Sequence, residues 1–123
     1  MTETKTDTAK MLGLARDIAG VLDEKKGEDV LIMDLTRVAD FTDYFVICTG
    51  GSIRTINSLK QEIQTNVKQS YERTAMNVEG DAASGWILMD YGDVIVHIFT
   101  KPMREFYQLE EFWSEAKIIL HLR

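Results

Sequence analysis

Cysteine is almost missing from this chain: Cys48 stands alone among 123 residues. No intrachain disulfide can close, and no spaced set of cysteines and histidines suggests a structural metal. With only His97 and His121 as imidazoles, a histidine-based metal site lacks ligands. The absence of disulfides points to a reducing compartment. Proline occurs once, at Pro102, and no Pro/Gly-rich linker, repeat or low-complexity stretch divides the sequence. One domain over residues 1–123 is expected, with a flexible start at 1–6 and a tail at 114–123 of no assigned role. No apolar run approaches the roughly 20 residues that a membrane helix needs. The first ten residues, rich in threonine and mixed in charge, lack the apolar core of a secretory signal and the arginine bias of an organelle presequence. A cytoplasmic location is expected.

Positive charge is also in short supply, 14 basic against 20 acidic residues for a net charge of −6. Nucleic-acid binders draw most of their affinity from Lys and Arg neutralising phosphates, so direct dependence on nucleic acid is not expected. An acidic surface instead favours a basic protein partner, because complementary fields steer encounter.

What is present is a globular composition, 45% apolar and 28% charged. Met11, Leu12, Ala15, Ile18, Ala19 and Leu22 follow helical spacing after a candidate cap at Asp7 or Thr8, and Gly27 can stop that helix. Apolar runs at 29–35 and 44–49 predict two strands. Gly50-Gly51-Ser52 ends the second, and Ser52 can cap a long helix with Ile53, Ile56, Leu59, Ile63 and Val67 on one stripe. A short strand is expected over 73–78 and a loop over 79–85. The clearest element is a hairpin, 86–91 and 94–99, around Gly92-Asp93, a glycine-first pair suited to a type II′ turn. Pro102 suits the first turn of a closing helix, with Phe106, Leu109 and Trp113 on one face. The order α-β-β-α-β-β-β-α predicts an α/β fold, a mixed sheet of about five strands with packed helices. The apolar segment 118–120 can pack back on the body or meet a second copy.

Alternation sorts the hairpin. With a two-residue turn, Tyr91 pairs with Val94; Ile87, Met89, Tyr91, Val94, Val96 and Ile98 then share one face. Trp86, Leu88, Asp90, Ile95, His97 and Phe99 share the other. The first is a core layer. The second, mixing large aromatics with a carboxylate and an imidazole, reads equally as a second core layer or as a contact surface.

Three chemical readings compete. The Gly50-Gly51-Ser52 turn can hold a phosphate on helix N–H groups, as in nucleotidyltransferases. The next segment, however, offers no Asp-x-Asp or Asp-x-Glu for a two-metal site, and no Walker lysine follows. Cys48 and His97 could form a nucleophile–base pair, although both lie inside apolar strands. Asp90 and Asp93 bracket the turn, where Asp is a common turn residue.

Four ordered blocks, 43–50, 78–80, 86–99 and 104–113, resemble the ribosomal silencing factor family, also called the Iojap family, and the resemblance covers nearly the whole chain. It implies a fold of nucleotidyltransferase-like topology without that activity, no catalytic residue and no cofactor. It implies a translation repressor that binds the large ribosomal subunit through the intersubunit-face ribosomal protein numbered fourteen, blocks joining with the small subunit, and also assists late subunit assembly. Isolated members are often homodimers. The family's shared positions fall on Asp43, Glu79, Gly80, Trp86, Asp90, Gly92, Asp93, His97, Tyr107, Leu109 and Trp113. Among these and their neighbours, Trp86 and Leu88 are expected as apolar anchors, Asp90 and Asp93 as partners for basic side chains, and Arg104 and Tyr107 as the rim. Leu109 and Trp113 are expected in the core. The rival reading is a nucleotidyltransferase-like nucleotide-binding protein or enzyme.

Overall fold

Leu14, Ala15, Ile18, Ala19 and Leu22 recur at helical spacing. In the computed structural model, which describes residues 2–123 and side-chain surroundings from Lys10 onward, they form the buried stripe of helix α1 (Thr2–Glu24). The helix begins at Thr2, so Asp7 and Thr8 lie within it rather than capping it. At its far end the left-handed residue is Lys26, with φ 79°. Gly27 serves a different need, since a Cβ there would sit 2.6 Å from the Leu22 carbonyl oxygen.

Strands β1 (Glu28–Asp34) and β2 (Tyr44–Thr49) follow, then helix α2 (Ile53–Tyr71). Ser52 caps α2 as its sequence suggests, its Oγ accepting from the Thr55 N–H at 3.0 Å. Ile56, Leu59, Ile63 and Val67 are buried; Ile53, expected on the same stripe, is half exposed. Next come β3 (Asn77–Asp81), β4 (Trp86–Asp90) and β5 (Val94–Phe99). The third strand thus lies four residues beyond the start expected from sequence and takes in part of the expected loop.

The closing helix is broken in two. Gln108 adopts φ 44°, separating α3 (Lys101–Tyr107) from α4 (Leu109–Phe112). Phe106 therefore does not share a face with Leu109 and Trp113: it is 75% exposed, while the other two pack on the sheet. The tail supplies the largest addition to the expected fold, a sixth strand β6 (Lys117–Leu122) paired antiparallel with β1.

The sheet order is β3-β4-β5-β2-β1-β6, mixed, with β2 and β5 its parallel pair. Helices α1 and α2 cover one face, burying Val30, Ile32, Val46, Val96 and Ile98 among others. The other face carries Leu31, Met33, Phe45, Ile47, Ile95 and Phe99 under Val38, Met103, Leu109 and Trp113. One sheet separates two apolar layers, the arrangement that lets strands buried on both sides read as continuous apolar runs.

Candidate partner-binding face

The hairpin has the register that alternation predicts. Trp86 lies opposite Phe99 and Leu88 opposite His97, and the Tyr91 N–H bonds the Val94 carbonyl at 2.9 Å. Gly92 takes φ +88°, which glycine permits without a Cβ penalty, and its N–H is accepted by Asp90 Oδ1 at 2.7 Å. Asp90 is thus a turn-forming carboxylate, half-buried at the end of β4.

At the opposite end of β4 the mixed face opens into a cavity of about 360 Å³, lined by Glu79, Gly80, Trp86, Leu88, Met103 and Tyr107. The Trp86 ring stacks on Phe99 at 5.1 Å between centroids and meets Tyr107 at 4.5 Å with a 46° tilt. Its indole Nε1–H donates to His97 Nδ1 at 3.1 Å. Because Nδ1 accepts, the imidazole proton belongs on Nε2. His97 is 3% exposed, and burial pushes its pKa down to about 3. It packs edge-on to Phe45 at 4.5 Å. A neutral imidazole therefore fixes the orientation of the tryptophan that walls the groove.

The six residues expected to bind a partner do not form one cluster. Trp86, Leu88 and Tyr107 come together at the groove. Asp90 and exposed Asp93 lie about four residues of strand away, roughly 13 Å, at an acidic end shared with Asp34 and Asp43. There, partial burial and then the charges of Asp93 and Asp34 raise the Asp43 pKa.

Arg104 is not on a rim. It is 8% exposed, and its Nη1 donates to the Asp29 carbonyl at 2.6 Å and to Thr49 Oγ1 at 3.0 Å. Glu110 and the Asp29 carboxylate stand 3.7 and 3.9 Å from its Nη2. Arg104 pins α3 to β1 and β2. The sequence places a charged residue outside by default, yet an arginine with backbone and hydroxyl acceptors can be buried. Glu79, Gly80 and Met103, not expected as partner contacts, also line the groove. Glu79 pairs with Leu88 across β3 and β4, so correct placement of β3 would have set it beside the groove.

The enzymatic alternatives find little support in this geometry. Cys48 packs in the α1–α2 layer while His97 lies on the other face, and burial drives the thiol pKa up to about 12. At the Gly50-Gly51-Ser52 turn the Gly50 N–H is already bound to the Phe99 carbonyl at 2.8 Å, and Ser52 is occupied as a cap. A Cβ on Gly51 would lie 3.3 Å from a Glu28 carboxylate oxygen. The neighbouring cavity, about 400 Å³, is lined by five carboxylates, Glu28, Asp29, Glu105, Glu110 and Glu111, against two cations, Lys101 and Arg104, a net acidic balance that disfavours phosphate. Among the described residues, no group of three or more His, Cys, Asp or Glu is placed to hold a metal ion.

Residues 6–122 match the family model described as ribosomal silencing factor during starvation. A ribosomal silencing factor of Bacillus subtilis is 34% identical over 100 residues, 81% of this chain and 84% of that protein. One from Haemophilus influenzae is 34% identical over 103 residues, covering 84% of this chain and all of its own length. A crystal structure of a Chromobacterium violaceum protein superposes with a TM-score of 0.75 at 26% identity, covering 86% of this chain and 85% of that one. With its sheet, its hairpin blocks and its full-length match in agreement, the chain belongs to the ribosomal silencing factor family.

Proposed function

We propose that the chain restrains translation in the cytoplasm by occupying the intersubunit face of the large ribosomal subunit through the ribosomal protein numbered fourteen. The small subunit is then held off by bulk alone, and the same occupancy serves late large-subunit assembly. No bond is made or broken in this reading, so it needs no catalytic group. The observation that carries it is the uneven distribution of charge around the aromatic groove. Residues 2–27 and 53–73, which contain the sheet-covering helices, hold nine basic and seven acidic residues, whereas 28–52 and 74–123 hold five and thirteen. The half bearing Trp86, Leu88 and Tyr107 is therefore strongly acidic, which suits a basic protein surface.

The test is a joining assay with purified subunits on sucrose gradients. Added chain should lower the joined fraction and migrate with the large subunit. Unchanged joining at saturating chain, or equal binding to large subunits lacking protein fourteen, would defeat the proposal. The free chain is further proposed to pair with a second copy. Support comes from β6, an edge strand whose outer side pairs with no described strand and whose Ile118 is 47% exposed. Light scattering on the eluting peak measures the mass directly, and a monomer at micromolar concentration would remove this part.

A further inference from the structure

The groove beside Trp86 has a chemistry of its own. The indole N–H is already engaged by His97, so Trp86 offers a visitor ring surface and no hydrogen bond. Tyr107, 40% exposed and tilted 46° to the indole, turns that surface into an aromatic corner. Leu88 and Met103 add an apolar lining. Glu79 brings a carboxylate from the neighbouring strand; Asn77 Nδ2 donates to its Oε2 at 2.7 Å, steadying the side chain while leaving Oε1 without a donor among the described residues. Among the described residues, no basic side chain lines the cavity. Gly80 is required where it stands: at φ +79°, a Cβ would come within 2.1 Å of the Trp86 carbonyl oxygen.

We propose that this groove receives an arginine side chain of the partner, its methylenes on Leu88 and Met103, its guanidinium over the Trp86–Tyr107 corner and against Glu79, with His97 as the positioning residue that holds the indole. Electron-rich ring faces attract a guanidinium, and a carboxylate at the edge adds charge and direction. A buried His97 that stays neutral near physiological pH adds no opposing charge behind the rings. The proposal rests on the reading that the partner is a basic protein, and it names the chemical group recognised.

The experiment uses the full chain, nitrogen-labelled, titrated with N-acetyl-arginine methylamide and with its citrulline counterpart, which keeps the shape and loses the charge. The arginine compound should shift the Trp86 indole and Gly80 amide resonances saturably, and citrulline should not. Glu79→Gln and Tyr107→Leu should each weaken the response about tenfold, near the upper range of a cation–π or charge-assisted contact. Equal shifts from citrulline, no saturable shift, or a response indifferent to both substitutions would overturn the groove's assignment. His97→Phe should speed proton exchange of the indole N–H and weaken the arginine response, while His97→Gln, which restores an acceptor, should recover both. Unchanged exchange and binding in His97→Phe would remove the positioning role. If His97→Phe does not fold, Trp86→Phe replaces it. That variant should still bind arginine, because the N–H is not offered to the ligand; loss of binding would contradict the inference.

Large subunits separate this inference from the proposed function. If Glu79→Gln and Tyr107→Leu lose the arginine response yet bind subunits like the parent, the partner does not use the groove and the inference fails alone. If the parent binds arginine but never large subunits, the proposed function fails and the groove stands.

Discussion

The two faces of the sheet are covered by the same chain in different ways. On one, helices of 23 and 19 residues lay continuous aliphatic stripes on the strands, and Leu14, Leu22, Ile56, Leu59, Ile63 and Val96 are sealed completely. On the other, a seven-residue helix, a four-residue helix and a connection share the work. That cover is incomplete: Trp86 and Leu88 stay half-buried, Phe106 and Phe112 are about three-quarters exposed, and polar groups, His97, Arg104 and its partner Thr49, are sunk beneath. A face that only needs stability can be uniformly apolar. Buried polar groups with directed hydrogen bonds cost desolvation and repay it in orientation, which a recognition surface needs and a core does not. Under the proposed function the α1–α2 face serves stability and the α3–α4 face recognition, a division that the following substitutions test.

The largest effect belongs to the sealed face. Ile63→Ala should cost about 3 kcal/mol of unfolding free energy, since a fully buried branched side chain leaves a cavity that rigid neighbours fill poorly. Denaturant titration gives this value. Large-subunit affinity per folded molecule should stay at the parent's level, and a matching loss of affinity would blur the division.

Arg104→Met comes next, at about 2 kcal/mol, from hydrogen bonds withdrawn from the Asp29 carbonyl and Thr49. An arginine serving only as a binding rim would show the reverse, with stability intact and affinity reduced. The same substitution should loosen β6. The His121 hydrogen bond, helped by Arg104, holds the Asp29 carboxyl below its usual range, so β1, α3 and β6 meet at one residue. Hydrogen exchange across 117–122 would register that loosening.

His97 predicts an acid limb. Its folded pKa, about 3, lies below the ordinary imidazole value, so the unfolded chain binds the extra proton first as pH falls. The stability it contributes is complete above about pH 6.5 and declines toward pH 3, by at most about 1.4 kcal/mol per pH unit. His97→Phe should flatten that decline; an unchanged acid slope in the variant would exclude His97 as its source.

Leu88→Arg should leave the melting temperature within a few degrees, because the residue is half-buried at the groove, yet weaken large-subunit binding about tenfold or more. Co-sedimentation at a series of chain concentrations reads the shift. Normal binding would move the recognition surface away from the groove.

Parts of this division are visible in the sequence, for local reasons. The Gly92-Asp93 turn fixes the hairpin register, and register fixes which side chains share a face, so the layers at Ile87–Met89–Val96 and Trp86–Leu88–His97 follow from alternation. Ser52 and the stripe from Ile56 to Val67 are likewise local signals. What escapes depends on contacts distant in sequence. The 117–122 segment becomes a strand through pairing with β1, some 85 residues earlier, and no turn signal announces it. β3 is an exposed edge strand with Glu79, Gly80 and Asp81 in it, and so lacks an apolar pattern. The break at Gln108 places a non-glycine residue in the left-handed region, against local preference. Of the residues expected at the site, Trp86, Leu88 and Tyr107 meet at the groove, whereas the charged ones sort three ways: Asp93 onto the surface, Asp90 into a turn, Arg104 into the interior.

The acidic end of the sheet should give the smallest effect. Asp93 is exposed, and its charge, with that of Asp34, adds to partial burial in raising the Asp43 pKa. Asp93→Lys replaces a repulsion with an attraction, so the Asp43 pKa should fall and the folded state gain slightly at neutral pH. The same charge lies outside the groove, so under the proposed docking it guides the approach of a basic partner rather than holding the complex. Association with large subunits should therefore slow by about two- to threefold at low salt, with dissociation nearly unchanged, and the difference should fade near 0.5 M salt as screening shortens the reach of exposed charges. Stopped-flow mixing at several salt concentrations resolves the two rates. A change confined to dissociation and persistent at high salt would place Asp93 in direct contact with the partner, and would extend the recognition surface along the full length of the hairpin.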